Sequence, residues 1–310
     1  MESYIINFAY LVCQKNESIP RIKKRLWQKL FYNGLKLICS VLIEWILTLK
    51  YLFNKQPFKP LIEDINKPIV SLTSFPARIN SIWLVINSMF TQTYPPAKVI
   101  LVLTKSEFPL GISEIPSSIK RFVNEGLEII FTDDNLRPHN KYYYALSKYK
   151  NREVITIDDD QLYWPDTIER LIKLHKVNPT SVCANSVSYI DIDQRIVIGE
   201  AEKKLNFNYA KLGLGVCGVL YPINFRSLEL FNTDRIQQLS FTADDLWLKA
   251  QEILLNIPVV TGDKYCYPLS IIGSQKIRLM KTNVENGEND LQWKQLDNSY
   301  KLADLMINED

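Results

Sequence analysis

The 310 residues, 46% of them hydrophobic and 23% charged, suffice to bury one sizeable core with an appendage, and they exclude a disordered tail. A net charge of +3 hides an asymmetry: the first 60 residues carry ten Lys or Arg against three Glu, a net +7, which leaves the remainder at −4. Five cysteines with no CxxC spacing argue against a zinc knuckle or a disulfide framework and point to a reducing compartment.

In chain order, the apolar run from Tyr4 to Cys13 follows Glu2, where a signal peptide needs positive charge, and no small-residue cleavage site comes after it; secretion is not expected. Ile19, Ile22, Leu26 and Leu30 then recur at helical spacing, with Arg21, Lys23, Lys24, Arg25 and Lys29 at other positions, which predicts a basic amphipathic helix. Asn33-Gly34 breaks the pattern, and a second apolar segment runs from Leu35 to Phe53, interrupted by Lys36, Glu44 and Lys50. Glu44 near its middle argues against a spanning helix. The expectation for residues 19–53 is a helical hairpin on an anionic membrane surface, with Trp27, Phe31, Tyr32 and Trp45 at headgroup level. Packing on the domain that follows or on a second copy is the alternative. Nucleic acid is set aside as a partner, because the basic cluster is short and its aromatics read as an apolar face.

A loop-like linker, "NKQPFKPLIEDINKP", leads into short β-runs alternating with helices. Ile69 to Ser74 is the first strand, and Ile79, Ile82, Trp83, Ile86 and Phe90 share a helical face after it. "KVILVLT", "LEIIFTD" and "EVITID" are the next strands, with "IKRFVNEG" and "NKYYYALSKY" as helices between them. Such alternation predicts a mostly parallel sheet covered on both faces, with ligands outside the carboxyl ends of the strands. A further helix starts at Pro165, and His175 on its apolar face reads as a packing residue.

Asp158, Asp159 and Asp160 stand side by side at one such strand end. Adjacent carboxylates raise one another's pKa and destabilise the site unless a cation sits among them. Capping of the next helix employs one aspartate and leaves two unexplained. Residues at i and i+2 of an extended segment point the same way, so Asp158 and Asp160 are expected to converge on one hard divalent cation, Mg²⁺ or Mn²⁺, with Asp159 facing elsewhere.

"ITIDDDQLYWPDTIERL", with the alternating elements before it, resembles the Asp-x-Asp metal motif of the GT-A glycosyltransferases, and "VSLTSFPARI", "GVLYP" and "ADDLWLK" are similar to stretches of bacterial polysaccharide transferases. The resemblance covers roughly residues 67–275. It implies a Rossmann-like α/β fold, a mixed and mostly parallel sheet flanked by helices, with a nucleoside-diphosphate sugar, most simply a UDP-sugar, held through the metal. It implies Asp160 as the direct metal ligand, Asp158 in a shared metal and ribose role, and Asp159 on the nucleotide side. The physical need is independent of the family: a cation stabilises the charge that develops on a departing diphosphate.

Other stretches add candidates. Thr73, Ser74 and Arg78 stand where the first strand turns into its helix, a place where hydroxyls and a guanidinium suit a nucleotide, or else cap a helix. Asp133 or Asp134 could accept from a base edge, and Lys141 at a helix start could face a diphosphate; a metal role for His139 is the less favoured reading. The glycines Gly213, Gly215 and Gly218 suggest a substrate-lining loop without P-loop spacing. Asp244 and Asp245 fall in the first turn of a helix, where the dipole favours the anion and hence a base. In inverting GT-A enzymes a carboxylate at this place deprotonates the acceptor hydroxyl, which the resemblance assigns to Asp245 with Asp244 as substitute. A capping box between Thr242 and Asp245 is the competing explanation. Ser274, Lys276 and Arg278 could close over phosphates, and the C-terminal stretch offers no histidine as a further metal ligand.

The expectation is therefore a metal-dependent glycosyltransferase, inverting with a retaining outcome as the alternative, at the cytoplasmic face of the membrane and acting on a saccharide or lipid-linked saccharide. Residues 1–66 form a basic helical segment, 67–275 the GT-A catalytic domain and 276–310 a C-terminal tail. A Mg²⁺-dependent nucleotidyltransferase or phosphohydrolase, or a non-catalytic membrane scaffold, is the alternative.

Overall fold

A computed structural model of the chain describes residues 2–18, 25–53, 59–190, 196–197, 210–263, 267–274 and 287–307. Its centre is a seven-stranded sheet. The strands are β1 (Ile69–Thr73), β2 (Lys98–Thr104), β3 (Leu127–Thr132), β4 (Val154–Thr156), β6 (Val182–Ala184), β10 (Val219–Tyr221) and β11 (Val259–Thr261). The order across the sheet is β11-β6-β10-β4-β1-β2-β3. All neighbours are parallel except β10, which runs antiparallel to both β4 and β6. Two small antiparallel sheets complete the set, β5 (Gln161–Leu162) with β12 (Leu269–Ser270), and β7 (Val187–Ile190) between β8 (Ile196–Val197) and β9 (Lys211–Gly213).

The strand period of two feeds two separate cores from one sheet. Val70, Leu72, Val99, Leu101 and Ile155 enter one face; Ile69, Ile100, Val102 and Val154 enter the other. The first face is covered by α3 (Ile82–Phe90), α4 (Ser117–Lys120) and α6 (Thr167–Val177). The second is covered by α5 (Asn140–Lys148), α7 (Thr233–Leu239), α8 (Asp244–Leu254), α9 (Glu288–Tyr300) and α10 (Leu302–Ile307). Trp293, Leu296 and Leu302 of the last two helices are fully buried, so residues 287–307 belong to this core.

The N-terminal hairpin differs from the sequence reading. Its arms are α1 (Glu2–Ser18) and α2 (Leu26–Phe53), and α2 runs unbroken through Asn33-Gly34. A mid-helix glycine costs about 1 kcal/mol, which the buried face of a 28-residue helix outweighs. Residues 19–24, with Arg21, Lys23 and Lys24, lie outside the described residues. The hairpin packs on the sheet and its helices: Ala9, Cys13, Cys39, Ile43 and Leu47 enter the first core. Tyr10 meets Trp164 edge-on at 5.1 Å, and Tyr51 meets Trp83 at 5.2 Å. The opposite side leaves Phe8, Leu11, Trp27, Leu30, Phe31 and Trp45 exposed. Among the described residues no helix is long and apolar enough to cross a membrane.

Candidate active site

β4 ends at Thr156, and Ile157 still bonds the Ser71 carbonyl of β1 at 3.1 Å. Asp158 to Asp160 follow in a turn that leads to β5. Because the chain has left the extended conformation, the period of two does not carry through the triplet. The expected convergence of Asp158 and Asp160, with Asp159 apart, is therefore not what the side chains do. Asp159 and Asp160 share Arg78, while Asp158 turns toward Lys141.

Arg78 donates through Nη1 to Asp159 and lies with Nη2 3.1 Å from Asp160 Oδ2. Ser74 Oγ donates to the other Asp159 oxygen at 2.6 Å. The "SLTSFPARI" segment is thus clamped to the triplet across the ends of β1 and β4. Thr73 does not join it, since its hydroxyl donates to the Val102 carbonyl at 2.8 Å. Asp133 stands at the end of edge strand β3, exposed and paired with Lys105 at 2.9 Å.

Lys141, in the first turn of α5, is buried, and its ammonium lies 2.8 Å from Asp158 and 2.9 Å from Asp244. Rather than facing solvent to await a diphosphate, it joins the triplet to the acidic pair of α8. Asp158, Asp244 and Asp245 together hold its pKa well above the usual lysine value against the cost of burial. Asp245 is recessed beside it, and Gly215 N–H approaches Asp245 Oδ2 at 3.5 Å. A Cβ on Gly215 would lie 2.9 Å from Lys141 Nζ, 3.0 Å from Asp245 Oδ1 and 3.6 Å from Asp158 Oδ1. Only glycine lets the backbone run this close to all three.

The capping box is not formed. Ala243 is the residue before α8 and makes no side-chain cap, while Thr242 Oγ1 accepts from Gln292 Nε2 at 2.8 Å. Asp245 is left to the site. Burial pushes its carboxyl up, Asp244 pushes further and Lys141 opposes, with the result near 8. Asp160 is raised to about 6 by burial and by Asp158, against Arg78. Asp159 is also raised, by burial first.

Two residues outside the predicted set complete the frame. Tyr163 OH accepts from Asp158 N–H at 2.8 Å, and Gln161 Nε2 donates to Asp160 Oδ1 at 2.7 Å. The Tyr-x-x-x-x spacing from the triplet gave no signal for the first, because it depends on how the β5 segment folds back. His139 is no metal ligand. It is fully buried, held neutral by a pKa lowered to about 4, and its ring nitrogens meet Tyr142 OH at 2.9 Å and the Ser240 carbonyl at 2.7 Å. It fixes the segment that leads into α8. Lys276 and Arg278 lie outside the described residues.

Five carboxylates thus surround two protein cations, and their mutual repulsion adds to burial in raising Asp159, Asp160 and Asp245. The family described as Glycosyl transferase family 2 matches residues 77–232, half of the chain. The chain belongs to glycosyl transferase family 2. The glycosyltransferase reading therefore stands over a nucleotidyltransferase, a phosphohydrolase or a scaffold. The match contains Arg78, Lys141, Asp158 to Asp160 and Gly215, and ends before Asp244 and Asp245.

No curated protein sequence matches the chain. Among solved structures, it is similar to the mannosyltransferase PcManGT of Pyrobaculum calidifontis in complex with GDP-Man and Mn²⁺, at 15% identity and a TM-score of 0.44 over 78% of this chain and 67% of that one. TarS 1–349 of S. aureus is similar at 16% identity and a TM-score of 0.45, over 78% and 71%. Glucosyl-3-phosphoglycerate synthase of Mycobacterium tuberculosis, with Mn²⁺, UDP-Glc and phosphoglyceric acid, is similar at 17% identity and a TM-score of 0.28, over 38% and 43%. At these values the likenesses add nothing to the fold already described.

Proposed function

We propose that this glycosyl transferase family 2 member moves a sugar from a nucleoside diphosphate, with UDP the first choice, to a saccharide or lipid-linked saccharide in bacterial polysaccharide synthesis, with Mn²⁺ or Mg²⁺ and with inversion. The single observation that carries this reading is the continuous charged chain from Arg78 through the triplet and Lys141 to Asp244 and Asp245. On this reading Arg78 and the triplet serve the donor, Asp244 and Asp245 supply the base, and Lys141 pairs with an aspartate of each group.

The residues fit a hard divalent cation. Among the described residues no three His, Cys, Asp or Glu side chains form a ready metal cage. Asp158 and Asp160, once turned from Lys141 and Arg78 toward each other, would hold the ion and leave its other positions to diphosphate and water. The excess of carboxylates over cations supports this, and so does Asp158, whose side chain is about one-third exposed at 32%. When bound, the ion supplies charge stabilisation at the departing diphosphate.

The chain's own groups supply the rest. Arg78 and Ser74 orient the donor side of the triplet. Asp245, ionised, takes the proton of the acceptor hydroxyl; the hydroxyl oxygen bonds to the anomeric carbon as the bond from that carbon to the diphosphate oxygen breaks, and the diphosphate leaves with the electron pair. Lys141 keeps Asp158 and Asp244 in place and favours the ionised form of Asp245. Asp133, exposed and paired with Lys105 at the end of β3, is assigned to the base of the nucleotide.

The exposed side of the hairpin is assigned to the anionic cytoplasmic surface of a membrane. Trp27, Leu30, Phe31 and Trp45 provide the apolar contact, and Arg25, Lys29 and Lys50, all exposed, provide the complementary charge.

The test is donor hydrolysis across a panel of nucleotide sugars, with and without Mn²⁺, for the wild type and for Asp158→Asn, Asp160→Asn and Asp245→Asn. Metal-dependent hydrolysis of one donor, lost in the first two variants, is expected. Metal-independent turnover unaffected by either would overturn the reading.

A further inference from the structure

Glu44 is the residue that breaks the apolar run of α2, and the fold supplies its partner. It lies next to the buried Ile43 on the inner edge of the helix, and its Oε1 accepts from Ile272 N–H at 2.7 Å, a contact spanning 228 residues. Ile272 sits in the turn Ile271–Ser274 that follows β12. The same turn is tied once to the triplet and once to the arginine that pairs with it. Ile271 N–H donates to the Asp160 carbonyl at 2.9 Å, and Arg78 Nη2 donates to the Ser274 carbonyl at 3.3 Å. Internally it is closed by Ser274 Oγ donating to the Ile271 carbonyl at 2.6 Å, with Gly273 at φ +81° making the reversal. Ile272, Gly273 and Ser274 form one wall of a cleft of about 250 Å³, and Ala77, Arg78 and Ser81 form the other.

The turn therefore has three external anchors. Two belong to the donor end of the site, and the third comes from the hairpin. Ile272 is exposed, so without Glu44 its N–H turns to water and the turn keeps only its two anchors at the donor end. Ser274 then withdraws its carbonyl from the guanidinium that spans Asp159 and Asp160.

We propose that Glu44 is a positioning residue for the donor site: by holding Ile272, the N-terminal hairpin fixes the turn that aims Arg78. This rests on the assignment of Arg78 and the triplet to the donor. It goes further in making a helix outside the family match part of donor recognition. It also makes docking of the hairpin and binding of the nucleotide mutually reinforcing, because coupling between two sites acts equally in both directions.

The test uses the full chain. Glu44→Ala is expected to raise the donor KM, and the Kd for UDP with Mn²⁺, by about five- to tenfold, the worth of one ordinary hydrogen bond at an exposed site. The kcat stays within about twofold, since Asp245 is untouched. Glu44→Gln, which keeps an acceptor oxygen, is expected to restore the KM to within about twofold. Hydrogen exchange at the Ile272 amide should quicken in Glu44→Ala and slow when UDP is bound. A merely structural role would lower the melting temperature and leave the KM and the kcat of the folded fraction alone. That result, or a Glu44→Gln variant as weak for donor as Glu44→Ala, overturns the inference. Arg78→Ala separates the two claims. If it loses donor binding while Glu44→Ala does not, only the coupling falls; if it binds donor normally, the donor assignment falls with it.

Discussion

Gly215 and Lys141 approach so closely that a single added methyl on the glycine would stand 2.9 Å from the lysine ammonium. A lysine tip usually swings aside, but this one is buried between Asp158 and Asp244, and the same methyl would meet Asp245 at 3.0 Å. Gly215→Ala is accordingly expected to lower kcat at least about tenfold, because small displacements of reacting groups cost that much or more. The melting temperature should shift by only a few degrees. Steady-state kinetics beside thermal unfolding checks it, and an alanine variant with wild-type kcat would contradict the packing.

The raised carboxyl of Asp245 predicts the shape of the pH profile. A base must be ionised, and this one is protonated below its pKa of about 8 in the resting site. The kcat/KM is expected to rise with pH and level off near that value. Asp245→Asn should lower kcat by about 100- to 10,000-fold and abolish the rising limb. A profile whose limb survives in Asp245→Asn would assign the base elsewhere.

Stability should run the opposite way. Asp160 and Asp245 have folded-state values of about 6 and about 8, above the roughly 3.9 of an unfolded aspartate. Groups raised in this way favour the folded state fully below the unfolded value, and that contribution disappears as pH rises through the folded values. The metal-free protein should therefore melt several degrees lower at pH 8 than at pH 5. Adding Mn²⁺ at pH 8 should recover much of the loss, since the ion binds the folded state alone. Differential scanning at the two pH values, with and without Mn²⁺, reads both effects.

The hairpin predicts a separable membrane phenotype. Replacing Trp27 and Phe31 by serine removes exposed apolar contact without touching the buried inner face. Flotation with vesicles containing anionic lipid should fall sharply, while donor hydrolysis in detergent-free solution stays within about twofold of wild type. Unchanged flotation would leave the surface to a second copy of the chain, which sedimentation would then show.

Much of this was legible in advance for a definite physical reason. The strand runs and the aspartates at the end of β4 are local signals, written in hydrophobic period and in residue type at one position. The pairings of those aspartates were not local. Arg78 reaches Asp159 across 81 residues, Lys141 reaches Asp158 across 17, and Glu44 reaches Ile272 across 228. Periodicity also misled where structure changed type. The triplet was read as strand but turns, so the expected i and i+2 convergence gave way to a shared guanidinium. Asn33-Gly34 was read as a break, but tertiary packing carried the helix through it. Thr242 carried the spelling of a cap, but Gln292 claimed its hydroxyl.

The reversed strand β10 carries a consequence for how the molecule assembles. β1, β2 and β3 can pair side by side as each crossover is completed, and β4 then joins the free side of β1. β6 has no such route, because the place between it and β4 belongs to a strand that begins at Val219. A nascent polypeptide halted before that point holds a four-stranded block with one naked flank beside the aspartates, so the catalytic carboxylates acquire their final surroundings only when the last third of the molecule has been made.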